Sequence, residues 1–174
     1  MDRIKNRYMK QMIGWLMLSF SISWGLGQDK SPESQNFFDA DSFYGDTLYI
    51  KSRFIECGEW GGHLEISKVY LSENEFYINY QKFNVDCNSV NDNNLAPNQK
   101  LAKNISKKLT AKDKKLIRLY MHQILDAKFR EPITMQVGHI FEVVKSDNSI
   151  NIRVYAGGVT TRNEYLAFIK NLLE

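Results

Sequence analysis

The sequence is short of several residue types, and each shortage narrows what it can be. Two cysteines in 174 residues cannot build a multi-bridge scaffold. Three prolines and ten glycines exclude collagen-like and proline-rich chains. Three histidines leave little material for a metal centre. No HExxH, EF-hand loop, phosphate loop or Ser-His-Asp order appears, and no internal repeat is visible. Excess charge is also missing. The 23 basic and 20 acidic residues include Arg3, Lys5, Arg7, Lys10 and Asp2, and residues 28–174 keep 19 of each. The overall charge of +3 is therefore an N-terminal property and gives no reason to expect a nucleic-acid partner. What is present, 43% hydrophobic and 25% charged residues, is the composition of a globular domain.

The N-terminus reads as an export signal. Met1–Lys10 is basic, and residues 12–24 (MIGWLMLSFSISW) are uncharged and almost wholly apolar. Gly25-Leu26-Gly27 then places small residues at −3 and −1 of a cut before Gln28. The apolar run is shorter than the roughly 20 residues of a spanning helix. Cleavage leaves no stable membrane span and delivers residues 28–174 to the periplasm or the medium. The alternative is an uncleaved N-terminal anchor, which holds the same residues outside. Residues 1–27 are thus read as a signal peptide, 28–46 as a flexible polar linker docking near Phe37 and Phe38, and 47–174 as one domain.

Within that domain, Thr47–Cys57 alternates Leu48, Ile50 and Phe54 against Lys51 and Arg53. His63–Leu71 carries Leu64, Ile66 and Tyr70 on one face, with Glu65 and Ser67 opposite. Glu75–Val85 places Phe76, Ile78 and Tyr80 together. Period-2 patterning in such residues predicts strands, and the short Ser72-Glu73-Asn74 link predicts a hairpin. Asp86–Asn98 reads as a polar loop. Residues 99–109 fit a helix, through Leu101, Ile105 and Leu109, as well as an extended basic segment. Thr110 with Asp113 is a capping signal for a helix to about Phe129, with Ile117, Tyr120, Met121, Ile124 and Leu125 as its stripe. Gly138–Ser146 and Ser149–Ala156 predict a second hairpin through Asp147-Asn148. Thr161 with Glu164 predicts a capping box for the last helix, with Tyr165, Phe168, Ile169, Leu172 and Leu173 on one face. The expected fold is α+β: an antiparallel sheet of about five strands, a three-strand meander plus a hairpin, with two helices packed on it in the order β-β-β-α-β-β-α.

One segment is dense in chemistry: Glu56-Cys57-Gly58-Glu59-Trp60-Gly61-Gly62-His63-Leu64-Glu65. A meander brings Cys57, Glu59, Trp60, His63 and Cys87 to one end of the sheet. A Cys57–Cys87 disulfide suits an exported chain. Strands one and three lie about 9.6 Å apart at two strand spacings, whereas a disulfide needs Cα atoms about 4.4–6.8 Å apart. The strand ends must therefore bend inward. The same residues permit a metal site of Cys57, His63 and Cys87 with Glu59 or Glu65, or a Cys nucleophile activated by His63, although the spacing matches no strong pattern for either. Trp60, in a glycine-flanked turn, suits a recognition anchor. His122 and His139 read as surface and structural residues. Asn104-Ile-Ser106 matches a glycosylation sequon.

Charge is also segregated along the chain. Residues 28–98 hold 12 acidic and 5 basic groups, and residues 99–131 hold 10 basic and 3 acidic ones. Lys107, Lys108 and Lys115 belong to that basic block, which suits an acidic protein or a surface polyanion. The sequence therefore predicts an exported, non-catalytic binding domain without a cofactor, of inhibitor or immunity type. Glu59, Trp60, His63, Glu65, Lys107, Lys108 and Lys115 are its candidate binding residues. The alternative is a metal-binding or Cys/His hydrolytic protein built on Cys57, His63 and Cys87.

Overall fold

A computed structural model describes residues 37–39, 43, 45–58, 61–90, 97–130 and 138–174. Residues 1–27, read as a signal peptide, most of residues 28–46, read as a linker, and Glu59 and Trp60 lie outside the described residues. Among the described residues no helix is long and apolar enough to cross a membrane.

Six strands form one antiparallel sheet: β1 (Thr47–Arg53), β2 (Leu64–Ser72), β3 (Glu75–Val90), β4 (Pro97–Lys108), β5 (His139–Lys145) and β6 (Asn151–Ala156). Their spatial order is β4-β3-β2-β1-β5-β6. Two helices, α1 (Ala111–Arg130) and α2 (Val159–Leu173), complete the order β-β-β-β-α-β-β-α. The fold is α+β as expected, with one strand more. Of residues 99–109, which the sequence leaves ambiguous, 99–108 form most of β4. Of the expected polar loop at 86–98, residues 86–90 and 97–98 are strand, because β3 runs on to Val90 and pairs with β4 up to Pro97; residues 91–96 lie outside the described residues.

Turn chemistry fixes the hairpins. Glu73 and Asn74 both adopt positive φ, 51° and 62°, as a two-residue hairpin loop requires. Asn148 does the same at 61°, and its N–H donates to the Lys145 carbonyl at 2.9 Å. The α1 cap is as read. Thr110 N–H donates to Asp113 Oδ2 at 2.9 Å, and Asp113 N–H donates to Thr110 Oγ1 at 3.2 Å. The α2 capping box is a correction. The helix starts earlier, with Gly158 as N-cap and no side-chain cap bond, and Thr161 is buried inside the first turn.

Both helices pack on one face of the sheet. Leu48, Ile50, Val69, Phe76, Ile78, Phe141, Val143 and Val154 from the strands share one core with Ile117, Tyr120, Ile124, Tyr165, Phe168 and Leu172 from the helices. Leu125, expected in the α1 stripe, is instead 40% exposed. Phe38 and Phe43 meet the Phe76 ring at 5.2 and 5.1 Å, and Phe37 meets Phe38 and Phe43 at 5.2 and 5.6 Å; the packed unit begins at Phe37.

β2 departs from its own patterning. Its buried positions are Glu65, Ser67 and Val69, while Leu64, Ile66 and Tyr70 look the other way. The neighbours impose this. Val69 pairs with Leu48 on one side and Ile78 on the other, and a one-residue slip would turn every side chain of the strand over. Two features follow: a carboxylate inside the helix-covered layer, and aliphatic residues on the uncovered face.

Candidate functional site

The loop between β1 and β2 is clamped to the overhang of β3. Cys57 and Cys87 form a disulfide with Cα atoms 5.2 Å apart. The separation by two strand spacings is avoided because neither cysteine lies beside β2. Cys57 is four residues past the end of β1, and Cys87 lies on the part of β3 that outruns the start of β2 at Leu64. The loop thus crosses the end of β2. Cys57 N–H donates to Gly61 O at 2.7 Å, and Gly61 N–H to Gly58 O at 3.1 Å. The Gly58–Gly61 turn spans Glu59 and Trp60, whose own placement is outside the described residues. Gln99 of β4 adds a further tie: its Nε2 donates to Gly62 O at 2.9 Å and its Oε1 accepts from Leu64 N–H at 3.2 Å. Gly62 is sterically obligatory, since a Cβ there would stand 2.2 Å from the Phe54 carbonyl oxygen.

His63 is part of this clamp. Its ring stacks on Phe54 at 4.4 Å. Nδ1 meets Glu56 Oε1 at 2.5 Å and Nε2 meets Glu65 Oε1 at 3.1 Å, so both ring nitrogens are occupied. Glu65 is 2% exposed. It accepts the Tyr165 hydroxyl at 2.9 Å and faces Lys82 Nζ at 3.0 Å. Burial alone would raise its pKa, but hydrogen bonds from Lys82, Tyr165 and Tyr80 outweigh it and hold the carboxyl below 4.5. Glu56 is also lowered: burial opposes the shift, and the His63 backbone and ring bonds overcome it. Tyr80 is pushed up by burial and by the Glu65 charge. His139 supports the loop, its Nδ1 accepting Ile55 N–H at 3.3 Å. Burial, then Arg162, lowers the pKa of its ring. His122 is exposed on α1.

The sequence-predicted residues therefore separate. Cys57, Cys87, His63 and Glu65 come together at one end of the sheet, as expected, but as a cross-linked and hydrogen-bonded support. With both sulfurs in a disulfide, neither can ligate or attack. Among the described residues, no three His, Cys, Asp or Glu side chains are arranged to hold a metal. The basic residues lie elsewhere. Lys107 pairs with Asp113 at 3.1 Å and Lys108 with Glu75 at 3.0 Å, so both are partly neutralised; Lys115 is exposed on α1. Patterning missed Lys82, Gln99 and Tyr165. Their roles depend on strand register and helix docking, which leave no local signal.

The uncovered face of the sheet is the second feature. It carries Tyr49, Tyr70, Tyr77 and Tyr155, the cations Lys51, Arg53, Lys68, Lys108 and Arg153, and the carboxylates Glu75 and Glu142. A concavity of about 380 Å³ opens in it, lined by Lys51, Arg53, Leu64, Ile66, Ile140, Glu142 and Arg153. Compared with protein-family models, curated proteins and solved structures, the chain matches none.

Proposed function

We propose that this is an exported, periplasmic or secreted, non-catalytic binding domain of inhibitor or immunity type. It recognises an acidic protein partner through the clamped loop that carries Glu59 and Trp60. The observation that carries the reading is the clamp. A disulfide, the Gln99 bridge and the Glu56–His63–Glu65 ladder converge on one ten-residue connection, far more restraint than a link between two strands needs. Restraint of a binding loop before contact lowers the entropy lost on association. Tryptophan is among the residue types enriched as anchors in such contacts. The basic block, including exposed Lys115, supplies steering for an acidic surface. Export agrees with the basic and apolar N-terminus and with an oxidised cysteine pair.

The test is site-specific photocross-linking in the native host, with the photoreactive group at position 59 and a control at Asp126 on α1. The reading expects one protein cross-linked from position 59, absent from the control, and lost in Trp60→Ala although folding is intact. Equal labelling from both positions, or labelling unaffected by Trp60→Ala, overturns it.

A further inference from the structure

We infer that the concavity on the uncovered sheet face, which borders the clamped loop at Arg53 and Leu64, is a binding site for a small amphiphilic carboxylate. Its floor exists because β2 is turned over. Leu64 and Ile66 sit on the open face at half-buried positions, joined by Ile140 from β5. Strand register organises the charges in two rungs. One runs Ile66–Lys51–Glu142–Arg153, the other Leu64–Arg53–Ile140–Tyr155. Glu142 is ion-paired with Arg153. Arg53 therefore lies between two aliphatic residues, and among the described residues it has no carboxylate within ion-pair distance. Lys51 lies over the Tyr49 ring, 5.3 Å from its centroid, and likewise has no carboxylate partner among the described residues.

An antiparallel sheet with one wet face needs no ligand to explain it, and the charge balance is what sets this one apart. Of five cations on the face, Lys108 and Arg153 are taken by its two carboxylates. Lys51, Arg53 and Lys68 are left over, two of them around an apolar floor. Arginine presents a planar fork that matches a carboxylate bidentately. The aliphatic floor accepts an alkyl body, and the volume of about 380 Å³ lies at the lower end of the roughly 300–1,000 Å³ typical of small-ligand sites. The fitting occupant is a free medium-chain alkyl carboxylate, its head on Arg53 and Lys51 and its chain along Leu64, Ile66 and Ile140.

Calorimetric titration of the native disulfide-bonded protein with decanoate, decanol and decyltrimethylammonium tests this. Decanoate binds saturably at one site, decanol more weakly, and the cationic analogue not at all. Arg53→Gln weakens decanoate roughly tenfold or more, equivalent to about 1.4 kcal/mol or more. Lys51→Gln weakens it in the same direction and serves if the first variant does not fold. Glu142→Gln strengthens binding by freeing Arg153. Phe129→Ser, which alters an exposed apolar side chain on α1, leaves it unchanged. Absence of saturable binding, equal binding of decanol, indifference to both Arg53→Gln and Lys51→Gln, or loss in Phe129→Ser overturns the proposal. None of these outcomes involves the loop partner, so the two readings stand or fall separately.

Discussion

Glu65→Gln tests the physical reasoning about the clamp most sharply. The wild-type carboxylate is buried, accepts the Tyr165 hydroxyl and faces Lys82 and His63. Removing one partner of a buried charge pair costs about 3–5 kcal/mol when the other charge stays buried. Lys82 is 39% exposed at its side chain, so water recovers part of its solvation and that cost must be discounted. The Tyr165 bond survives as a neutral one, which forfeits roughly half its strength. The expected loss is about 2–3 kcal/mol at pH 7. Its pH dependence has a definite sign. The folded carboxyl lies below the ordinary value of 4.5, so its contribution is fully present above that value and disappears as pH falls through the lowered one. Urea denaturation of the unreduced proteins at pH 7 and at steps below pH 4.5 measures this. The wild-type advantage holds down to about 4.5 and then shrinks. A difference under about 0.5 kcal/mol at pH 7, within the range of neutral surface changes, or one that persists undiminished into acid, refutes the reasoning.

Three further outcomes follow from the same geometry. Gly62→Ala drives a methyl group into the backbone at Phe54 and Glu56, at 2.2 and 2.6 Å; its thermal midpoint should fall further than that of any other single glycine-to-alanine change in this loop. Asp113→Ala removes the two bonds that Asp113 Oδ2 accepts from the Thr110 N–H and hydroxyl, together with the Lys107 pair, and should cost about 1–2 kcal/mol by urea denaturation. Tyr120→Phe deletes a buried hydroxyl that has no hydrogen-bond partner among the described residues, so it should be neutral or stabilising by up to about 1 kcal/mol in the same assay.

Much of the fold was legible in the sequence because strand alternation, hairpin turns and the Thr110–Asp113 cap are local signals. β4 was not legible. It is an edge strand with Lys100, Lys103, Lys107 and Lys108 spread over both faces, a charged edge of the kind that resists strand-to-strand aggregation. Its Leu101 and Ile105, with Leu109 just beyond it, happen to fall at helical spacing. The far half of β3 was hidden because Asp86 and Asn88 look like loop residues; pairing with β4 and the disulfide hold them extended. β2 was read correctly as a strand, but its apolar side is the exposed one. Single-strand patterning cannot reveal that, since the flanking strands decide which face is inside. The disulfide was legible from cysteine number and topology. The Glu65–Tyr165 contact was not, because it joins residues 100 positions apart.

The most direct test of the proposed export and of the clamp is an intact mass of the protein from its native host, alkylated before and after reduction. The account predicts a chain starting at Gln28 that takes up no alkylating groups until it is reduced, and two thereafter, one for each cysteine of the pair. A chain starting at Met1 that still resists alkylation would mean an anchored form with the clamp intact. Two thiols open to alkylation without reduction would contradict the account and return Cys57, His63 and Cys87 to metal or thiol chemistry.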